Sequence, residues 1–196
     1  MHAGEPDLGE NRETDLIARL RARDLDALGE LYRELGAAMT TLARSMVRDR
    51  AEADDIVEDS LMRVHDAAPG FRGERGLRTW VLRIVTNRCR DALRRRRFVA
   101  SRPEDLDPLA HAGLRAEPGE GWDEAIDRSR LLAVLERAIA RLPREQREAV
   151  VLRDRLGLSY EEVAETLGVS VPAVKSRLFR ARESLKAALR SGREEP

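Results

Sequence analysis

"GLSYEEVAETLGVSVPAVKSRLFRARESL", residues 157–185, punctuates itself into two helices and a tight turn. Ser159 with Glu162 three residues later is a capping box that opens a short helix. Val163, Ala164 and Leu167 give that helix one apolar face, and Gly168 ends it. Ser170 caps the next helix, with Pro172 tolerated in its first turn. Along this second helix Val174, Leu178, Ala181 and Leu185 share one stripe, and Lys175, Ser176, Phe179 and Arg180 face away from it. Two cations, a hydroxyl and an aromatic ring on the outer face are what a recognition helix in a major groove requires. An amphipathic helix with merely solvated arginines would interleave glutamate among them, and only Glu183 appears, late in the helix. The segment reads as a DNA-binding helix-turn-helix, a pattern that fits many regulators.

A second basic stretch lies upstream: "RTWVLRIVTNRCRDALRRRR", residues 78–97, with a net charge of +7. Val81, Ile84, Val85, Cys89 and Ala92 fall on one helical stripe and form a buried face. Thr79, Arg83, Asn87, Arg90, Arg94 and Arg97 fall opposite, so the arginines form an outward stripe on a helix whose other side folds the domain. Arg88 sits at the edge of the apolar face, as an internal ion pair or a snorkelling side chain. Just before this helix runs "PGFRGERG", residues 69–76, a glycine-rich loop on which Phe71 is expected to be exposed. An exposed aromatic beside a cationic helix suits stacking on unpaired bases. The competing expectation makes Phe71 a loop anchor packed on the core.

"AEADDIVEDSLMRVHDA", residues 51–67, puts Ile56, Val57, Leu61 and Val64 on one side and Asp54, Asp55, Glu58 and Asp59 on the rest. Periodicity alone favours reading these acids as complements to the helix dipole. DNA would repel such a surface, so any partner of it is a basic protein.

The chain as a whole has 196 residues, 42% hydrophobic, 37% charged and a formal net charge of zero. Charge is nevertheless segregated: residues 1–15 carry −4, residues 98–129 carry −5 and residues 171–190 carry +5. The acidic stretch also holds Pro103, Pro108 and Pro118, and reads as a flexible linker between two helical domains. Such a tether spans roughly 30 Å on average and about 100 Å at full stretch. Two basic surfaces on one tether suit two contacts along an extended polyanion. Cys89 is alone, and His2, His65 and His111 are scattered without metal-ligand spacing. No phosphate-binding glycine loop or nucleophile elbow occurs, so neither an enzyme nor a bound metal or cofactor is expected. No run approaches a membrane span and the N-terminus is acidic and polar, which implies a soluble cytoplasmic protein.

Taken together, "ADDIVEDSLMRVHDAAPGFRGERGLRTWVLRIVTNRCRDALRRRR" (53–97), the acidic linker, and "LPREQREAVVLRDRLGLSYEEVAETLGVSVPAVKSRLFRARESL" (142–185) resemble a bacterial extracytoplasmic-function sigma factor. The resemblance covers roughly residues 12–190. It implies an all-α chain: residues 1–11 disordered, region 2 over 12–98, a linker over 99–128, region 4 over 129–190 and a tail over 191–196. It implies a dissociable subunit that directs core RNA polymerase to promoter DNA, usually restrained by an anti-sigma factor. By that resemblance Asp54, Asp55, Glu58 and Asp59 dock on the clamp coiled coil of the largest polymerase subunit, and region 4 meets the flap of the second. Phe71, Trp80, Arg83, Asn87, Arg90 and Arg94 would read and hold the melted −10 element, and Lys175, Ser176, Phe179 and Arg180 the −35 element. The linker would thread toward the active-site and RNA-exit channels. The chain departs from the family pattern at Glu58, Asp59 and Leu61, where Gln, Glu and Phe are common, and at Leu77, where an aromatic is frequent. Two other functions fit parts of the chain: a regulator that binds duplex DNA through residues 159–186 alone, and a polymerase-binding decoy that never opens promoters.

Overall fold

The computed structural model describes residues 8–47, 49–73, 76–99 and 122–191, and these are helical with no strand among them. The chain divides into two compact units, one built on the helices before the acidic stretch and one on those after it.

In the first unit α1 (Leu8–Arg21) and α2 (Leu25–Met46) pack as a pair, and α2 packs in turn on α3 (Arg50–Ala67). A single 3₁₀ turn (Ala68–Gly70) ends α3, and α4 (Leu77–Val99) follows. The α1–α2 corner closes without glycine: Arg23 takes the left-handed conformation (φ 61°), and the Asp24 amide donates back to the Arg19 carbonyl at 3.1 Å. Asp24 then caps α2 by accepting from the Asp26 amide at 2.8 Å, and Asp49 caps α3 by accepting from the Glu52 amide at 2.9 Å. Leu16 and Leu20 of α1, Leu31, Met39 and Leu42 of α2, Ile56, Val57 and Val64 of α3, and Val81, Leu82, Val85 and Cys89 of α4 form the core.

The second unit comprises α5 (Trp122–Arg141), α6 (Arg144–Val150), a wider π turn (Val151–Arg155) that continues α6, α7 (Tyr160–Leu167) and α8 (Val171–Ser191). Helix α8 packs against both α5 and α6. Leu142, Val150, Val151, Leu152, Leu158, Val163, Leu167, Val174 and Leu178 are buried, so the apolar stripe read on the recognition helix is a core stripe. Gly157 and Gly168 take positive φ (73° and 68°) at the two turns that bracket α7.

Two expected boundaries change. Helix α1 begins at Leu8, inside the stretch expected to be disordered. Helix α5 begins at Trp122, seven residues inside the expected linker of 99–128. Asp123 and Glu124, part of the negative charge that suggested a linker, fall in the first turn of a helix, where anions complement the dipole. Residues 100–121 of that linker, residues 1–7 and residues 192–196 lie outside the described residues.

Arg19 ties the α1–α2 corner together, with Nε 3.0 Å from Asp24 Oδ2 and Nη1 2.8 Å from Glu30 Oε2. These hydrogen bonds hold both carboxyls below the ordinary carboxylate range and raise the Arg19 guanidinium further. A carboxyl depressed in the folded state stabilises it fully above the unfolded pKa, and that contribution is lost as pH falls through the lower folded value. Thermal melts from pH 7 down to pH 2 should therefore show the wild type losing stability more steeply below about pH 4 than Arg19→Gln. Parallel curves would remove the corner pairs from the stability of this unit.

Candidate nucleic-acid interfaces

The helix-turn-helix forms as its local chemistry requires. The Ser159 amide donates to Glu162 Oε2 at 2.7 Å and the Glu162 amide to Ser159 Oγ at 3.1 Å, a reciprocal capping box. Ser170 Oγ accepts from the Ala173 amide at 3.4 Å at the start of α8. Val174, Leu178 and Ala181 are buried, and Leu185 is half-buried. Lys175, Ser176, Phe179 and Arg180 are all exposed, and Phe179 leaves 69% of its surface in solvent. No folding energy is gained by displaying that ring.

Ion pairs within the unit sort the remaining cations. Arg177 reaches Glu145 of α6 at 3.0 Å, and Arg182 reaches Asp154 at 2.7 Å. Asp154 raises the Arg182 guanidinium above its ordinary range, so that pair is held charged. Lys175 and Arg180 make no ion pair among the described residues. Lys175 instead has its Nζ 5.5 Å from the centre of the Tyr160 ring, and the Arg153 guanidinium lies 4.7 Å from the same ring. Tyr160, at the start of α7, thus fixes the head of a lysine on α8.

On α4 the buried face is wider than the expected stripe. Leu82 and Thr86 join Val81, Val85, Cys89 and Ala92, and Thr86 stays satisfied by donating to the Leu82 carbonyl at 2.8 Å. Thr79, expected on the outer face, is buried, while Ile84 is only half-buried. Asn87 and Arg94 are exposed, Arg83 and Arg90 half-buried, and the Arg97 side chain lies outside the described residues. Arg94 pairs with Asp91 at 2.8 Å on its own helix. Arg88 is an internal pair: it meets Asp59 of α3, and Arg96 meets Glu52 of α3 at 2.8 Å.

Phe71 is not an exposed base-stacking ring. Only 9% of its surface is accessible, and it stacks on Trp80 with centroids 4.4 Å apart and planes 21° from parallel. Its amide donates to the Ala68 carbonyl at 3.0 Å and its carbonyl accepts from Arg21 Nε at 2.7 Å. The anchor expectation for this residue is the correct one: burying the ring against Trp80 removes more apolar area from water than any open loop could. Trp80 itself is half-buried.

The acidic face of α3 also divides. Asp54 is held by Arg44 at 3.0 Å and Asp59 by Arg88, whereas Asp55 and Glu58 are exposed without an ion pair among the described residues. Met62, 59% exposed, lies one turn beyond them.

Residues 31–99 match the family model for Sigma-70 region 2, and residues 132–185 match that for Sigma-70 region 4. The ECF RNA polymerase sigma factor SigM of Mycobacterium tuberculosis is 35% identical over 92% of this chain and 86% of its own length. This chain belongs to the extracytoplasmic-function sigma factors. The sigma factor is therefore a transcription initiation factor that directs RNA polymerase to promoters. It is also similar to CnrH, solved in complex with the cytosolic domain of CnrY, at 28% identity and a TM-score of 0.67 over 91% of this chain and 97% of that one. The sigma factor RpoE of Bartonella quintana, solved with the anti-sigma factor NepR, matches at 25% identity and a TM-score of 0.65 over 82% of this chain and 97% of that one.

Sequence reasoning about this sigma factor missed Tyr160, Arg153 and the partners of Arg177, Arg182 and Arg96. Asp154 stands 28 residues before Arg182, beyond any helical repeat, so no local spacing marks the pair. Substitutions should separate display from support. Phe179→Ala and Arg180→Ala should change unfolding stability by no more than about 0.5 kcal/mol, as befits exposed positions. Phe71→Ala should cost about 3 kcal/mol through the cavity left against Trp80. Urea titrations of the three variants check this ordering.

Proposed function

We propose that this sigma factor reads duplex −35 DNA with Lys175, Ser176, Phe179 and Arg180, and holds the melted −10 strand with the α4 surface that carries Trp80, Arg83, Asn87, Arg90 and Arg94. The sorting of cations on α8 carries this reading. Arg177 and Arg182 are neutralised by carboxylates of their own unit, while Lys175 and Arg180 stay available on the face that also displays Phe179. Phosphates attract any cation, but base edges need donors held at defined positions. The Tyr160 ring supplies that positioning for Lys175.

At the first surface the role of Phe71 changes from stacking on a base to backing Trp80. Trp80 then offers the ring nearest the strand, with Asn87 as a hydrogen-bonding group and Arg83, Arg90 and Arg94 as cations for the backbone. Stacking on one base is worth about 1–3 kcal/mol, comparable to the few kcal/mol needed to extrude it, so such a surface captures strands as they open.

Docking on the polymerase clamp coiled coil falls chiefly to Asp55 and Glu58, because Asp54 and Asp59 already meet arginines of the same unit. Contact with the second-subunit flap falls to the second unit. An anti-sigma factor restrains the protein, as the partners in the CnrH and RpoE complexes suggest. The protein acts in the cytoplasm and catalyses no reaction of its own; no helix among the described residues is long and apolar enough to cross a membrane.

The deciding experiment adds purified protein to sigma-free core polymerase on fragmented genomic DNA and sequences the transcript 5′ ends. Start sites sharing two upstream motifs are expected. Arg180→Ala should relax the −35 motif at one position by about 1–3 kcal/mol of discrimination and leave the −10 motif unchanged. No transcripts from a polymerase active with another sigma factor would refute the proposal. The protein without polymerase should bind random duplex weakly, with a log–log salt slope of only about −2 to −3, because few cations on α8 are uncompensated. Tight, steeply salt-dependent binding by the free protein would contradict this charge sorting.

A further inference from the structure

Helix α1 lies outside the residues matched to region 2, which begin at residue 31. It nevertheless holds both ends of the connection between α3 and α4. At one end Arg21 Nε donates to the Phe71 carbonyl at 2.7 Å. At the other the Leu77 amide, an N-terminal donor of α4 with no partner inside its own helix, donates to Glu13 Oε1 at 2.9 Å. Helix α1 also packs directly on the 3₁₀ turn Ala68–Gly70 that leads into Phe71.

Two features make those ends worth holding. Gly73 and Gly76 both take positive φ (82° and 66°), a backbone conformation that glycine adopts without steric cost. A carbon added at Gly73 would come no nearer than 4.0 Å to Arg21 Nη2, and one at Gly76 would meet nothing within 4 Å. The Phe71–Trp80 stack then transmits the position of the connection to the first turn of α4. The Trp80 amide accepts the same register by donating to the Gly76 carbonyl at 3.2 Å.

We infer that Glu13 and Arg21 are positioning residues for −10 recognition: α1 pins the connection at Phe71 and at Leu77, and thereby sets where Trp80 meets the melted strand. The inference rests on the −10 role proposed above for the Trp80 surface. Both side chains lie on exposed residues, so their hydrogen bonds contribute more to alignment than to burial. A recognition surface needs its supporting groups held to within a fraction of an ångström, and α1 is the element that supplies this hold.

The test uses the full chain with core polymerase on a promoter taken from the start-site mapping, with its −10 hexamer randomised in one library and its −35 hexamer in another. Glu13→Ala, Arg21→Ala and the double variant should contract base preferences at −10 by about fivefold, the lower end of what a mismatched base costs. Preferences at −35 and thermal stability should stay at wild-type values. Glu13→Gln keeps an oxygen acceptor for the Leu77 amide and should retain the wild-type −10 preference. Unchanged −10 preferences in the double variant would overturn the inference while leaving the sigma-factor reading intact. Equal losses at −10 and −35 accompanying a lowered melting temperature would also overturn it, in favour of a purely structural α1. A wild-type library with no −10 preference at all would refute the underlying reading instead.

Discussion

A helix that carries eight arginines between residues 78 and 97 and also supplies a core has to dispose of its charge before it can fold. Helix α4 manages this by direction. Val81, Leu82, Val85, Cys89 and Ala92 are buried, and the arginines nearest that face are met by carboxylates of α3, Arg88 by Asp59 and Arg96 by Glu52. Exposed pairs of this kind contribute little stability each. Their larger effect is to decide which guanidiniums are spoken for. What α4 leaves without an ion pair to α3 is a patch that includes Asn87 and Arg83, beside Trp80, while Arg94 is paired with Asp91 of its own helix.

The second unit applies the same constraint to a smaller element. The capping box fixes where α7 starts, Gly168 fixes where it stops, and the buried Val174–Leu178–Ala181 stripe fixes the rotation of α8. Once that rotation is set, four basic side chains project from the first twelve residues of α8 and two of them meet acids of α6 and the π turn. The fold thus leaves Lys175 and Arg180 without an ion pair among the described residues, which makes them the cations that the proposed function assigns to DNA, and Lys175 lies over the Tyr160 ring. A cation already held in place loses less entropy when it binds.

What could be read from the amino-acid sequence was whatever rests on contacts within a turn or two of helix. The capping box, the glycine stop, the apolar stripe of α8 and the display of Phe179 all depend on spacings of three to seven residues. Phe71 was illegible for the opposite reason. Its glycine-rich surroundings argue for exposure, but its burial depends on Trp80 nine residues later and its carbonyl on Arg21 fifty residues earlier. Thr79 failed because a threonine can be buried at little cost when its helix is covered on a wider arc than a single stripe. The start of α5 at Trp122 was hidden by acids that serve equally well in a linker or in a first helical turn. Arg88 lay between these cases, since its place at the edge of the apolar face left an internal pair and a snorkelling side chain both open, and the acid that decides for the pair, Asp59, stands on another helix.

The zero net charge of the chain follows the same logic at larger scale. A protein with the arginines of residues 78–97 on one unit and Lys175 and Arg180 on another would, without counter-charge, bind any duplex it met. On the proposed function, acids distributed along α3, α5 and the sequence between them keep that background attraction low. On the proposed function weak contacts suffice when they act together: two sites on one chain, on a subunit docked to polymerase, meet the promoter at a high effective concentration. Neutrality overall and concentrated charge locally are therefore two halves of one requirement. Promoter DNA has to be bound tightly in the complex, and other DNA has to be released.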